Sequence, residues 1–227
     1  MRIQKEIWQK EHETSATLPN HASIEPSKAV VWFAGKLKEL NVALKGKAID
    51  VGCGKGRNSI YLAKLGLNVT AIDYISLALK TTNEVAKREK VENKIETKEL
   101  DLGKTWSFKE GEFDLAIDNY ASIDIENRKD RANCINEMHR VLKNDGFGFI
   151  SVVSIEDEFE KTCKKGEEHN SVFWPNGKFQ KDYDEKELSE WIESNGFKLI
   201  ELKKVNRLVE KYGKKFTSTD YWAIFKK

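Results

Sequence analysis

Disulfide frameworks and zinc sites are the first classes to fall. The chain has three cysteines in 227 residues, Cys53, Cys134 and Cys163, and none forms a C-x-x-C pair. Long apolar runs are missing too. Phe147 to Val153 is among the longest, and it is far too short to cross a bilayer. The opening residues, Met1-Arg-Ile-Gln-Lys-Glu, hold no apolar signal-peptide core, so a cytoplasmic location is the expectation. An excess of one charge sign is also lacking. A formal net charge of +2 gives no general reason to expect nucleic acid. The basic residues gather only near the end, at Lys203, Lys204, Arg207, Lys211, Lys214 and Lys215. That cluster reads as a solvated strand edge and loop, or as a polyanion contact. What remains is a chain of 39% hydrophobic and 33% charged residues, long enough to bury a sizeable core and expected to form one domain.

The informative stretch is Lys47-Ala-Ile-Asp-Val-Gly-Cys-Gly-Lys-Gly-Arg-Asn-Ser59. Its apolar run ends in a glycine-rich bend, and a helical pattern of Ile60, Leu62, Ala63 and Leu65 follows. Strand, tight turn and helix in that order put unpaired N–H groups and a partial positive charge behind the bend. Gly52, Gly54 and Gly56 let backbone approach a ligand closely. The spacing is G-x-G-x-G, not the G-x-G-x-x-G of dinucleotide binding. Asp50 beside the bend suits a ligand bearing an ammonium group and is a poor neighbour for a pyrophosphate. Cys53, inside the turn, reads as a small neutral filler.

Downstream, Asn68 to Asp73 is a buried strand with Asp73 at its carboxyl end, about 20 residues past the turn. There a carboxylate can accept from two ribose hydroxyls, or it can cap the helix that begins near Ser76. The pattern predicts helices over about 76–90 and 127–143. It predicts a third strand over 94–102 and a short buried strand at Leu115 to Ile117. Asp118, Asn119 and Tyr120 at the end of that strand would face a reaction zone, because ligands in open α/β sheets bind beyond the carboxyl ends of strands. Loop caps and packing are the alternative for them. Asn144-Asp145-Gly146 is a turn signal, and Phe147 to Ser154 a fifth strand.

Asp-Val-Gly-Cys-Gly-Lys-Gly-Arg-Asn-Ser, followed by Val-Thr-Ala-Ile-Asp, resembles the first motifs of the class I S-adenosylmethionine (SAM) dependent methyltransferases. Arg57, Asn58 and Ser59 are similar to the tellurite-resistance and thiol or thiopurine branch. The resemblance implies an α/β fold: a Rossmann-like, seven-stranded, mostly parallel sheet in the order 3-2-1-4-5-7-6, with the last strand antiparallel and helices on both faces. It implies that Asp50 and the turn (Gly52, Cys53, Gly54, Gly56), with Arg57 and Asn58, hold the methionine part of SAM. Asp73 and Tyr74 would lie at the ribose, and Asp101 and Leu102 at the adenine. Asp118, Asn119 and Tyr120 would flank the methyl group. The family's Asn/Asp-Pro-Pro-aromatic run of amino-methylating enzymes is absent, since this chain has Asp118-Asn119-Tyr120-Ala121. No cysteine follows a proline, as cytosine C5 methylation usually needs.

The ends are harder to read. Residues 1–25 show little periodicity, with Trp8, His12 and His21 standing out. Trp8 reads as a packing anchor or a wall of the ligand site, and His12 as a surface residue. In methyltransferases of this size the segment ahead of the first strand often covers the cofactor, which would make 1–26 such a cover. Ser27 predicts a helix cap for about 28–40. Residues 155–183 lack periodicity but carry aromatics, as a substrate lid or pocket wall would. His169 is the acid–base candidate there, while His139 reads as structural. Asp184 and Glu187 begin a helix, and Phe197 to Val205 with Asp220 to Phe225 read as two closing strands. Three functions stay open: methyl transfer to a small molecule (thiol, phenol, amine or chalcogen oxyanion), methyl transfer to RNA or protein, and a nucleotide-binding Rossmann oxidoreductase. No metal is expected, and the chain is expected to be a monomer or homodimer.

Overall fold

A computed structural model describes residues 2–14 and 23–227. Short apolar runs bounded by turn residues become the strands. They are β1 (Lys47–Val51), β2 (Asn68–Asp73), β3 (Ile95–Glu99), β4 (Phe113–Asn119) and β5 (Leu142–Val153). Three short strands follow, β6 (Lys164–Lys165), β7 (Ser171–Phe173) and β8 (Phe179–Lys181), and then the long β9 (Lys198–Lys211) and β10 (Lys214–Lys226). The helices are α1 (Arg2–Thr14), α2 (Lys28–Glu39), α3 (Arg57–Lys64), α4 (Ser76–Arg88), α5 (Arg128–Val141) and α6 (Glu185–Ser194).

Seven strands form one sheet in the order β3-β2-β1-β4-β5-β10-β9. The first five pair in parallel, and β10 is antiparallel to both β5 and β9. This is the order the resemblance implies, with β10 as the seventh strand and β9 as the sixth. Side chains alternate across the sheet. Ile49, Ala116, Ile150, Ala223 and Phe225 face one core with Ile135 and Met138 of α5 and Leu188 and Ile192 of α6. Ala48, Leu115, Phe149, Trp222 and Ile224 face the other, against Phe33 of α2, Leu62 of α3 and Val85 of α4. Burial on both faces is why the central strands read as continuous apolar runs rather than alternating ones.

Three departures from the sequence reading bear on the site. The Asn144-Asp145-Gly146 turn is a bulge: β4–β5 register jumps from Phe113↔Leu142 to Leu115↔Phe147, with Asp145 at φ 67°. The closing strands run much further than expected. They meet at Tyr212-Gly213, both at positive φ, as a tight hairpin requires. Only Asp220 to Lys226 pair with β5, so Lys214 to Thr219 and their β9 partners project beyond the sheet. Residues 1–25 do contain regular structure, helix α1. His21 and the rest of 15–22 lie outside the described residues.

Candidate active site

The glycine turn joins β1 to α3 and is clasped from β2. Cys53 N donates to Ile72 O at 2.9 Å, and Gly54 N donates to Asp73 Oδ2 at 2.9 Å. Gly52 has φ 65°, and a Cβ there would stand 2.3 Å from Ala121 Cβ. Gly56 has φ 79°, and its Cβ would meet the Thr82 side chain at 2.5 Å. Any other residue would press on Ala121 beyond β4 at the first position and on Thr82 of α4 at the second.

A cleft of about 2000 Å³ opens above this turn, beyond the carboxyl ends of the parallel strands. Gly52, Gly54, Arg57, Asp73, Tyr74, Asp101, Leu102, Asn119 and Tyr120 line it. The predicted residues Asp50, Cys53, Gly56, Asn58 and Asp118 do not line it, and their partners say why. Asp50 is buried under the turn and accepts from Ser59 Oγ at 2.6 Å. Asn58 Oδ1 accepts from Ser27 N at 2.9 Å and so ties α3 to the start of α2. Asp118 accepts from Ala121 N (2.8 Å) and Ser122 N (3.2 Å), which caps the turn after β4. That is the loop-cap alternative, so Asp118 does not reach the reaction zone. Cys53 is buried and burial pushes its thiol up, as suits a filler. His169 is exposed on the loop between β6 and β7 and is not among the cleft residues, so the geometry gives it no acid–base place.

Asp73 lies at the carboxyl end of β2. Its Oδ1 accepts from Ile75 N at 2.9 Å ahead of α4, yet the residue lines the cleft. Each carboxylate oxygen keeps a second acceptor site. Asp101 Oδ1 accepts from Gly103 N at 3.0 Å. Arg57 lines the cleft with no hydrogen bond or ion pair to another described residue. Burial lowers its pKa, while Tyr120 and Asp50 act the other way.

The carboxylates at the turn are costly to ionise. Burial raises the Asp50 pKa to about 7, and Asp73 and Asp118 add to it. Burial likewise raises Asp118 to about 6, and Asp73 lies above the usual carboxylate range for the same cause. Three carboxylates held in low dielectric repel one another and favour a cationic ligand.

Two elements whose segments show little or no periodicity in the sequence complete the walls. Helix α1 lies across the cleft mouth through Gln4, Trp8 and His12. Gln4 fastens it to the loop and strand ahead of Gln180, donating Nε2 to Gly177 O and accepting from Phe179 N, both at 3.1 Å. His12, expected at the surface, is buried. Burial and Lys55 lower its pKa to about 4, so it is neutral at pH 7. Residues 155–183 form an antiparallel sheet in the order β6-β7-β8. It hangs on Asp157, whose carboxylate accepts from Phe159 N, Glu160 N and, across to β10, Thr219 N. Buried Lys178 projects from this wall. Its ammonium sits 3.9 Å from the Trp174 ring centre and 3.2 Å from Asp124 Oδ1. From the hairpin, Arg207, Asp220 and Trp222 close the remaining side.

Strand order, the turn and the placement of the cleft define the fold of the SAM-dependent methyltransferases. Residues 48–146 match the family described as methyltransferase domain. Over 43 residues it is 44% identical to a probable S-adenosyl-L-methionine-dependent methyltransferase TehB of Haemophilus influenzae, covering 19% of this chain and 15% of that protein. Over 100 residues it is 32% identical to a ribosomal protein L11 methyltransferase of Desulfitobacterium hafniense, covering 44% and 29%. These alignments thus span less than a third of either curated relative. A solved 1,6-didemethyltoxoflavin-N1-methyltransferase of Burkholderia thailandensis, with 1,6-didemethyltoxoflavin and S-adenosylhomocysteine bound, superposes at a TM-score of 0.70. It is 16% identical, with 98% of this chain and 87% of that one covered. No helix among the described residues is long and apolar enough to cross a membrane.

Proposed function

We propose that this chain transfers a methyl group from SAM to a small-molecule acceptor, with residues 1–227 working as one unit. The observation that carries the reading is the set of three buried carboxylates, Asp50, Asp73 and Asp118, around a glycine turn that leaves in the cleft an arginine with no hydrogen bond or ion pair among the described residues. A pyrophosphate would meet that charge as repulsion, whereas a nucleoside with an ammonium and a sulfonium relieves it. The residues fit SAM. Arg57 would take the amino-acid carboxylate. Asp50 would act on the ammonium from behind the turn, by charge rather than contact. Asp73 would accept from the ribose hydroxyls beside Tyr74, and Asp101 with Leu102 would meet the adenine. Helix α1 would cover the bound nucleoside, and the 155–183 sheet would wall the acceptor. SAM supplies an electrophilic methyl carbon whose bond to sulfur breaks with the electron pair left on sulfur. The chain's own task is to align that carbon with an acceptor in a near-attack geometry.

A small acceptor is favoured over a macromolecule because α1 and the β6–β8 sheet lie over the cleft. Half of the basic cluster that would favour RNA is engaged in ion pairs. Lys204 pairs with Glu156, Arg207 with Asp220 and Lys211 with Glu160. The Burkholderia enzyme's acceptor is itself a small heterocycle by name, which is consistent with this choice. Titration calorimetry with S-adenosylhomocysteine and with NAD tests the reading. Binding of the former alone is expected, and binding of NAD alone would reject it.

A further inference from the structure

Two buried polar atoms on the hairpin wall of the cleft, Asp220 Oδ1 and Trp222 Nε1, have no partner at hydrogen-bond distance among the described residues, and the Tyr120 hydroxyl is the polar group that neighbours both side chains. Residues two apart on a strand share a face, so both belong to one side of β10. Asp220 is fully buried. Its other oxygen, Oδ2, accepts from Arg207 Nε at 2.7 Å and pairs with Arg207 Nη2 at 2.6 Å. Arg207 Nη2 also donates to the Tyr120 hydroxyl at 3.1 Å. Tyr120 follows β4 with φ 67°, a left-handed conformation costly for an aromatic residue and typical of functional sites. Register fixes the level: Asp220 pairs with Val153, and Asn119 with Ser151, at the carboxyl edge of the sheet. A buried carboxylate oxygen and an indole N–H left without a bonding partner by the fold are groups that a ligand can satisfy.

We propose that Asp220 and Trp222 form the acceptor subsite. Asp220 Oδ1 receives the proton of an N–H or O–H group on a planar phenolic or heteroaromatic acceptor. Trp222 Nε1 donates to a neighbouring lone pair of the same molecule. The proposal rests on the methyltransferase reading and narrows its acceptor class. The acceptor's N–H or O–H bond breaks, the proton passes to Oδ1, and the freed pair on nitrogen or oxygen forms the new bond to carbon. Arg207 holds the carboxylate in place throughout. Trp8, Trp174 and Phe179 line the same cavity and suit a flat ring. Burial sets Asp220 above the ordinary carboxylate range, which helps it accept a proton near neutral pH. Oxyanions would meet a carboxylate of their own sign, and a thiolate needs no base.

The test uses the full chain with S-adenosylhomocysteine, whose binding is measured first by calorimetry. The probes are 7-hydroxy-, 7-amino-, 7-mercapto- and 7-methoxy-4-methylcoumarin and sodium selenite, followed by tryptophan fluorescence. The hydroxy or amino probe is expected to bind at least about tenfold tighter than the methoxy probe. D220N is expected to abolish that preference, with S-adenosylhomocysteine affinity unchanged. W222F, which keeps an aromatic ring and deletes the N–H, is expected to weaken the favoured probe severalfold, and it carries the test if D220N does not fold. With SAM present, methylation of the favoured probe should fall by about 100-fold or more in D220N. Equal binding of the methoxy probe overturns the proposal. So does an unchanged preference in the folded variants, binding of the mercapto probe or selenite alone, or no binding of any probe up to about 1 mM. Failure of the wild type to bind S-adenosylhomocysteine would overturn the methyltransferase reading and this proposal together. Any of the other results, with that ligand bound, overturns this proposal alone.

Discussion

Asp50 sits beside the turn in sequence, but its side chain lies beneath it and meets Ser59 rather than the cleft. Its cost to the fold follows from burial. With a folded pKa of about 7, raised first by burial, the folded state holds a proton that the unfolded chain has released. The sign is therefore that of a raised acid. The stability it contributes is fully present below the unfolded pKa near 4. It is lost as pH rises towards 7 and is flat above that. Asp50→Asn removes the charge and keeps an acceptor for Ser59. It should melt close to the wild type at pH 4, and at pH 8 it should be more stable by on the order of 2–4 kcal/mol. Thermal melts at both pH values check this. A variant less stable at pH 8 would mean that the ionised carboxylate is held by something other than Ser59.

At the scale of elements, what was legible depended on apolar spacing and on glycine. The first two strands and their turn, helix α2 with Ser27 as its cap, and Asp73 at a strand end followed from residue type and position. Helix α1 did not, because its inward stripe is Gln4, Trp8, Glu11 and His12, polar save one, and a search for apolar period passes over it. The 155–183 sheet hid for a related reason: its strands are two or three residues long. Its one local signal, Asn176-Gly177 between Phe173 and Phe179, is a hairpin turn. The role of Asp220 could not be read from sequence, since its partner Arg207 lies across a hairpin longer than the pattern suggested. The join between the two unread elements is testable. Gln4 supplies both hydrogen bonds of the clasp between α1 and the Gly177–Phe179 segment. Gln4→Ala should leave the sheet intact but speed S-adenosylhomocysteine dissociation by roughly tenfold, the loss of two modest hydrogen bonds. Stopped-flow displacement measures it, and an unchanged off-rate would show that α1 does not retain the ligand.

Across the whole molecule the charge is nearly balanced, at +2, yet its distribution is not. Acids are buried at the turn, while Arg57 and Arg207 line the cleft near Tyr120. A ligand entering between them changes proton binding as well as occupying space. Before binding, Asp50 titrates at about 7 and Asp118 at about 6, both raised by burial. An ammonium near the turn favours their ionised forms, so binding should release protons and affinity should rise with pH between 6 and 8, flattening above. The donor carries a sulfonium in addition to the ammonium, whereas its product carries the ammonium alone. SAM should therefore release more protons than S-adenosylhomocysteine at pH 7. Calorimetry in phosphate and in Tris separates the two, because the buffer takes up each released proton and contributes the reverse of its own ionisation enthalpy to the heat. The expected result is a larger buffer difference for SAM, reduced in Asp50→Asn. Heats identical in both buffers would show that the buried carboxylates stay in one protonation state, and the turn would then select its ligand by shape and hydrogen bonding rather than by charge.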